Sequence, residues 1–534
     1  MATPQIGSSH PETSTTPTTQ LDRQPLHDPI MTDTQNVYHD ADPAVGRTDT
    51  TLEDINTPYR IPVHHVFDVD TRTGFMASIE PPSRLPQQWQ LWEATLDNAI
   101  QSKLQIGDKI GITEDEERVS REWRKRVREL QVLSIEELKP SAVLLRRAHL
   151  VLTYILHFYI QSIPPTEAIL IPQPLSLPLL RVSQHLDIPP LLTFSDTVLY
   201  NWTHRTKRPT SPDGTPQIPE IDNLRTQTMF TNLTDEEEFY LCSARIELRG
   251  VEALEIMRLT MDETFVDDEI SVRRITSYLS RLSEVIGSLK DLLLDVRKGC
   301  DPDVYYNDVR PWFRGEDSDL LKRKWVFEGV DEDPTLSQPE ELSGPSAGQS
   351  SMVHVLDIFL GVDHQSSATS TQPSFMSRMQ KYMPHNHRLF LNHLKTNPRP
   401  LREFVKRVEC SLGDAGGREL GERYNEAVMA LKEFRDAHMI IAALYILGPA
   451  RRVAAKSKAG APVTSSDGGV NPRDVGSGAA ASVVMGTGGG YDVRVASPPA
   501  KVKGTGGTDL VKFLKDTRNR TQEAMIQLGS KMET

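Results

Sequence analysis

The sequence predicts a mainly α protein of two helical domains, and three observations predict it. Apolar residues recur at three- and four-residue steps through most of the chain beyond about residue 59. Strand-like patterning is confined to one short run, Tyr59 to Phe67. A segment with four prolines and few apolar residues, Thr206 to Glu220, separates the periodic stretches into two groups. The expected organisation is a disordered extension at 1–50, a small domain at 51–220 ending in that linker, and a large helical domain at 221–534 with a flexible insertion at 450–503.

Residues 1–50 are rich in Thr, Pro, Asp and Gln and cannot repay their ordering entropy by burial. In the strand-like run, His64 and His65 are adjacent and so fall on opposite faces, which argues against a shared metal. Leu85 to Leu104 and Glu114 to Leu133 read as helices. In the second, acidic residues lead and Arg121, Arg124, Lys125, Arg126 and Arg128 follow, which suits the helix dipole and predicts a solvated face. Ser141 to Ile163 is apolar enough to be a buried helix. Ile169 to Leu179 is punctuated by prolines, and Leu180 to Asp187 and Leu191 to His204 read as two further helices.

In the second group, Glu236 to Met261 and Val272 to Val296 are long and amphipathic. Tyr305 to Trp312 is a short aromatic-rich element containing Arg310. Gly344 to Ser351 is a run of small residues that lets backbone approach a ligand, leading into a helix from Met352 to Leu360. Gln365 to Ser374 reads as a polar loop, and Pro384 to Leu394 and Pro400 to Cys410 as short helices. The cleanest helix is Glu422 to Leu447, which Gly448 and Pro449 are expected to stop. Its apolar stripe runs through Tyr424, Val428, Leu431 and Tyr445, and His438 lies in it, one heptad from each of the last two. An inward imidazole is most often a satisfied core residue; the other reading is an axial ligand to a haem or a metal. Gly504 to Asp509 places a glycine-rich loop before a last helix, Leu510 to Leu528.

Composition excludes several classes. The net charge of −13 and pI near 5.7, with dispersed basic residues, argue against nucleic-acid binding. Cys242, Cys300 and Cys410 form no CxxC pair, which fits a reducing compartment. No signal-peptide pattern opens the chain, and the apolar run Leu150 to Ile160 falls short of membrane-spanning length, so a soluble cytoplasmic protein is expected. The G-T-G-G-T-D loop has no following Lys-Ser or Lys-Thr and no preceding strand, so a hinged lid fits better than a phosphate cradle. His385 and His387 are expected on a solvated surface. There is no G-x-S-x-G or HExxH on which to build a hydrolase.

Several strings together carry a resemblance: Gly344-Pro-Ser-Ala-Gly-Gln-Ser-Ser351, Tyr382-Met-Pro-His385, Arg402-Glu-Phe-Val405, Gly413-Asp-Ala-Gly416, Arg435-Asp-Ala-His438 and Gly504-Thr-Gly-Gly-Thr-Asp-Leu510. They resemble the characteristic blocks of the indoleamine 2,3-dioxygenase family, in that family's order, while Asp187 to Leu192 and Asp196 to Trp202 resemble its first domain. The long N-terminus and the insertion resemble those of longer fungal members, some of which are weak catalysts.

The resemblance implies a two-domain helical haem protein in which His438 is the proximal ligand to the iron of haem b. Arg435 and Asp357 match a charged pair beside the haem. Arg310 matches the arginine that pairs with the substrate carboxylate. Phe239 and Ser243 match distal-pocket residues, Ser346 and Ala347 lie over the haem edge, and Thr505 matches the mobile loop that closes over substrate. The implied reaction inserts both atoms of O₂ across the indole C2–C3 bond of L-tryptophan, giving N-formylkynurenine, the first step of the kynurenine pathway towards NAD. It requires a reductant that keeps the haem ferrous, and the expected state is a monomer without nucleic-acid or membrane partners. Arg310 and Ser243 are the candidate catalytic residues, Arg310 ahead of Ser243. Tyr305 stands where phenylalanine is common, Phe194 where some members carry tyrosine and Thr197 where some carry cysteine. These departures keep open a haem-binding sensor or a low-activity paralogue acting on another indole.

Overall fold

The computed structural model describes residues 66–208, 216–319, 321–364, 374–396, 400–412, 415–459, 484–485, 491–492 and 510–528. The expectations for residues 1–50, for His64 and His65, and for Thr505 with its glycine-rich loop lie outside these residues, as does most of 450–503.

The described residues are mainly α-helical. In chain order the helices are α1 (Gln90–Gln101), α2 (Glu114–Arg128), α3 (Ala142–Gln161), α4 (Gln173–Leu186), α5 (Thr234–Arg249), α6 (Val251–Val266), α7 (Glu269–Asp295) and the single turn α8 (Pro302–Val304). They continue with α9 (Ser351–Phe359), α10 (Phe375–Gln380), α11 (His385–Thr396), α12 (Leu401–Leu412), α13 (Ala415–Ala442), α14 (Gly448–Ala459) and α15 (Leu510–Glu523). The described strands are short and pair two by two: β1 (Ile169–Ile171) runs parallel to β4 (Trp325–Phe327), and β2 (Trp202–His204) antiparallel to β3 (Leu224–Thr226). The pair β5 (Val484–Met485) and β6 (Tyr491–Asp492) is antiparallel.

Local chemistry sets the helix ends. Thr113 and Glu116 form a capping box at the start of α2, and Asp268 and Ser271 do the same for α7. Ser141 caps α3 by accepting from the Leu144 amide, and Ser350 caps α9 by accepting from that of Val353. The long α7 and α13 pack along each other, with α6 against α7 and both α12 and α15 against α13. The fully buried Tyr424, Val428 and Leu431 place the predicted stripe of α13 in that seam. Contacts also tie the two sides of the expected linker: His157 on α3 shares a 2.7 Å hydrogen bond through Nδ1 with the carbonyl of Trp312.

Several expectations are corrected. Leu191 to His204 is not a helix but a five-residue π-turn, Ser195–Leu199, followed by β2. Asp196 sets this: its carboxylate accepts from the amide and hydroxyl of Thr193 and from His149 Nδ1, which closes the chain into the wider turn. The α4 helix begins at Gln173, because Pro174 sits in its first turn, where no N–H is needed. Glu236 to Met261 is two helices broken at Gly250, where a side chain would collide with Met352. Gly448 and Pro449 do not end the helical run. A π-turn, Ala443–Leu447, precedes them and α14 follows, the widened turn absorbing the position at which proline would break the hydrogen-bond ladder.

Two polar side chains are also more deeply placed than their sequence context indicates. Arg124 turns inward to the Ser162 carbonyl beyond the end of α3. His387 is buried against the Phe75 ring, while its neighbour His385 stays on the surface with Asp187. By length and composition α3 could cross a membrane, but 83% of its most apolar window is buried inside the protein, as in a core helix.

Candidate functional site

Among the described residues three π-turns occur, Ser195–Leu199, Tyr305–Val309 and Ala443–Leu447, and all three supply walls to one cavity. A π-turn costs hydrogen-bond geometry, and such turns concentrate where a helix must re-aim side chains toward a site. The cavity holds about 1030 Å³ not filled by protein atoms, its open mouth included.

One wall is α13, which presents His438, Ile441 and Ala442 and continues through the π-turn to Tyr445. The His438 ring is enclosed by protein yet open to the cavity, and it makes no hydrogen bond among the described residues. Burial, helped by the Arg435 charge, lowers its pKa to about 4. At neutral pH it is therefore an uncharged imidazole with a free lone pair, the form that binds metal. No group of three or more His, Cys, Asp or Glu side chains that could hold a metal ion exists among the described residues. A metal bound by one histidine must arrive with its other donors already attached, and the apolar walls suit the faces of a macrocycle. The residues present fit a haem.

Behind His438 lies a buried charged cluster. Arg435, one turn earlier, donates through Nη2 to Asp357 Oδ1 at 2.5 Å and through Nη1 to the Thr521 hydroxyl, and Asp357 Oδ2 accepts from His364 Nε2 at 2.6 Å. Burial opposes ionisation of Asp357, but the Arg435 charge and the His364 hydrogen bond outweigh it and hold its pKa at about 2. Neither Arg435 nor Asp357 forms cavity wall; they tie α13 to α9 and α15.

A second wall is aromatic. Phe239 on α5 lies 4.4 Å, centroid to centroid, from Tyr305 and 6.1 Å from Phe313, in tilted and stacked arrangements suited to a flat aromatic ligand. Ser243, one turn beyond Phe239, also faces the cavity, as do Phe194 and Thr197 from the first π-turn. The tyrosines differ in how their hydroxyls are used. Tyr445 donates to the Cys300 carbonyl at 2.6 Å and Tyr240 to Glu236 Oε1 at 3.0 Å, whereas the Tyr305 hydroxyl has no hydrogen-bond partner among the described residues.

The third wall is the loop of small residues, with Ser346, Ala347 and Gly348 lining the cavity. A side chain at Gly348 would press on Phe375 and Met379, so the loop is held as close as its backbone allows. Gln349 anchors it by accepting from the Phe194 amide at 2.8 Å and donating to the Gly344 carbonyl at 3.1 Å.

Eight of the candidate residues therefore share one cavity: His438, Phe239, Ser243, Tyr305, Phe194, Thr197, Ser346 and Ala347. Arg310 is not in its wall. It lies one π-turn beyond Tyr305, half-buried, with its guanidinium 5.5 Å from the Tyr306 ring, and burial lowers its pKa. Reading the sequence missed Phe313, Tyr445, Phe375 and, from α15, Phe513 and Leu514 as wall residues. The last two had a signal, since they share a face of α15 with Leu510 at helical spacing.

A family profile described as Indoleamine 2,3-dioxygenase matches residues 63–524. The chain is 29% identical to the indoleamine 2,3-dioxygenase of Saccharomyces cerevisiae over 86% of its own length and 93% of that protein's. It is 30% identical to an indoleamine 2,3-dioxygenase of Aspergillus candidus, over 85% and 95% respectively. A 6-hydroxytryptophan 2,3-dioxygenase of Fusarium equiseti is 26% identical, over 86% and 97%.

Proposed function

The chain belongs to the indoleamine 2,3-dioxygenase family, and from that premise we propose that it inserts both atoms of O₂ across the indole C2–C3 bond of L-tryptophan, giving N-formylkynurenine. A haem-dependent dioxygenase of the indole type is the family's chemistry; the choice of tryptophan, haem b, and a place at the head of the kynurenine pathway towards NAD are our reading. The observation that carries it is the imidazole of His438, without a hydrogen-bond partner among the described residues, in a cavity that Phe239, Tyr305 and Phe313 also line.

When bound, ferrous haem supplies the activation of O₂. The chain does the rest. His438 would hold the haem iron, and the Arg435–Asp357 pair keeps its helix turn in place. Phe239, Tyr305 and Phe313 orient the indole ring and keep water away from it. The Ser346 to Gly348 backbone borders the space the ring needs. Arg310 takes the substrate carboxylate, for which a guanidinium in a partly desolvated position is suited. No side chain is required as a base, and Ser243 is at most a minor contributor. We place the protein in the cytoplasm as a monomer served by a cellular reductant, in keeping with its free Cys242, Cys300 and Cys410.

A second reading, a low-activity or sensing member that takes another indole, is favoured by the Tyr305 hydroxyl alone. Incubating the reduced protein with L-tryptophan under isotopically labelled O₂ tests the first reading. Both labelled atoms in N-formylkynurenine support it; no product from tryptophan but product from a ring-hydroxylated tryptophan overturns the substrate assignment.

A further inference from the structure

Glu247 takes no part in the chemistry above, yet it is a carboxylic acid only 1% exposed on the helix that carries Phe239 and Ser243. The three residues follow at steps of four and so share a face of α5, two of them lining the cavity. Glu247 Oε1 accepts from the Ser350 hydroxyl at 2.6 Å, while its Oε2 is buried with no partner among the described residues. Ser350 caps α9 and ends the loop whose Ser346, Ala347 and Gly348 form another wall of the same cavity. One turn further, Met352 fills the space left by Gly250. The loop and α5 are thus joined at two adjacent points, and only one is polar.

We infer that Glu247 is a positioning residue of the cavity: through Ser350 it clasps the 344–351 loop to α5, and gain or loss of its proton changes how firmly the loop is held. The inference rests on the cavity being the substrate site. Burial raises the Glu247 pKa to about 7, the Ser350 hydrogen bond acts in the opposite sense, and no charged side chain contributes. The charged groups of the neighbouring elements are engaged elsewhere: Arg249 with Glu252 and Ser288, Asp196 with His149, Asp357 with Arg435 and His364. His387 and His354, which reach Ser351 and Gly348, are buried with pKa values lowered to about 4, so they stay neutral through the range concerned.

A carboxyl that is harder to ionise in the closed arrangement than in an open, hydrated one favours closure while protonated. That preference is full below the ordinary carboxylate pKa and is lost as pH rises through about 7. The neutral amide of Glu247→Gln keeps an acceptor for Ser350 and cannot titrate.

Hydrogen exchange of the 344–353 amides in the haem-loaded protein, corrected for intrinsic exchange, tests this directly. Wild-type loop opening is expected to rise on the order of tenfold between about pH 5.5 and about pH 7.5, and L-tryptophan binding, read from the haem absorption band, to weaken in parallel. Both profiles are expected to be flat in Glu247→Gln. A flat wild-type exchange profile, or one that Glu247→Gln leaves unchanged, overturns the clasp. A wild-type protein that shows the exchange profile but binds no tryptophan refutes the substrate reading and leaves the clasp standing.

Discussion

Arg435 donates to Asp357 at 2.5 Å with both side chains almost sealed from water, one helical turn before His438. The pair joins α13 to α9 and so fixes the turn from which the imidazole projects.

Removing one member strands the other. Asp357→Ala leaves the Arg435 guanidinium buried without its counter-charge, and a loss of about 3–5 kcal/mol of stability is expected, with faster loss of haem. Thermal denaturation and transfer of haem to an acceptor protein measure the two effects. Because the Asp357 pKa is depressed to about 2, its stabilising contribution is present above the ordinary carboxylate value and disappears as pH falls towards about 2. Acid unfolding of Asp357→Asn is expected to lack that component.

His438→Ala removes the one histidine that lines the cavity among the described residues and would hold the iron. Haem affinity is expected to fall by more than about 100-fold while the helical circular dichroism persists, and added imidazole is expected to restore a haem spectrum. Haem binding at wild-type strength in the variant would contradict the assignment of the ligand.

Arg310→Ala is expected to retain haem and to lower kcat/KM for tryptophan by about 3 kcal/mol, roughly 100-fold, through the lost carboxylate pair. Binding of tryptamine, which has no carboxylate, is expected to be unaffected. Equal losses for both ligands would place the role of Arg310 elsewhere.

Tyr305→Phe deletes a hydroxyl that has no partner among the described residues. Stability should therefore change by less than about 1 kcal/mol, while the preference between tryptophan and ring-hydroxylated tryptophans moves toward tryptophan. Side-by-side kcat/KM values for the two substrates read this out.

The sequence carried the helical class and most helices because their period is strong: the stripe of α13 and the face of α7 are the buried seam of the structure. It did not carry the π-turns. Residues 443–447 have ordinary helical composition and are widened by the proline that follows, while at 195–199 the turn depends on what Asp196 accepts, the nearby Thr193 and the distant His149. Nor could it place Arg124 or His387, whose burial depends on the Ser162 carbonyl and the Phe75 ring. The candidate site was legible through resemblance; spacing alone left His438 open between core residue and ligand. Glu247 left a trace, a charge on the face shared with Phe239 and Ser243, but its meaning required Ser350.

An absorption spectrum of the purified, reduced protein, followed by addition of L-tryptophan and O₂, tests the dioxygenase assignment outright. A haem spectrum and the appearance of N-formylkynurenine are expected. A protein that binds no haem, or one that binds haem and yields no product even at high tryptophan, would contradict it.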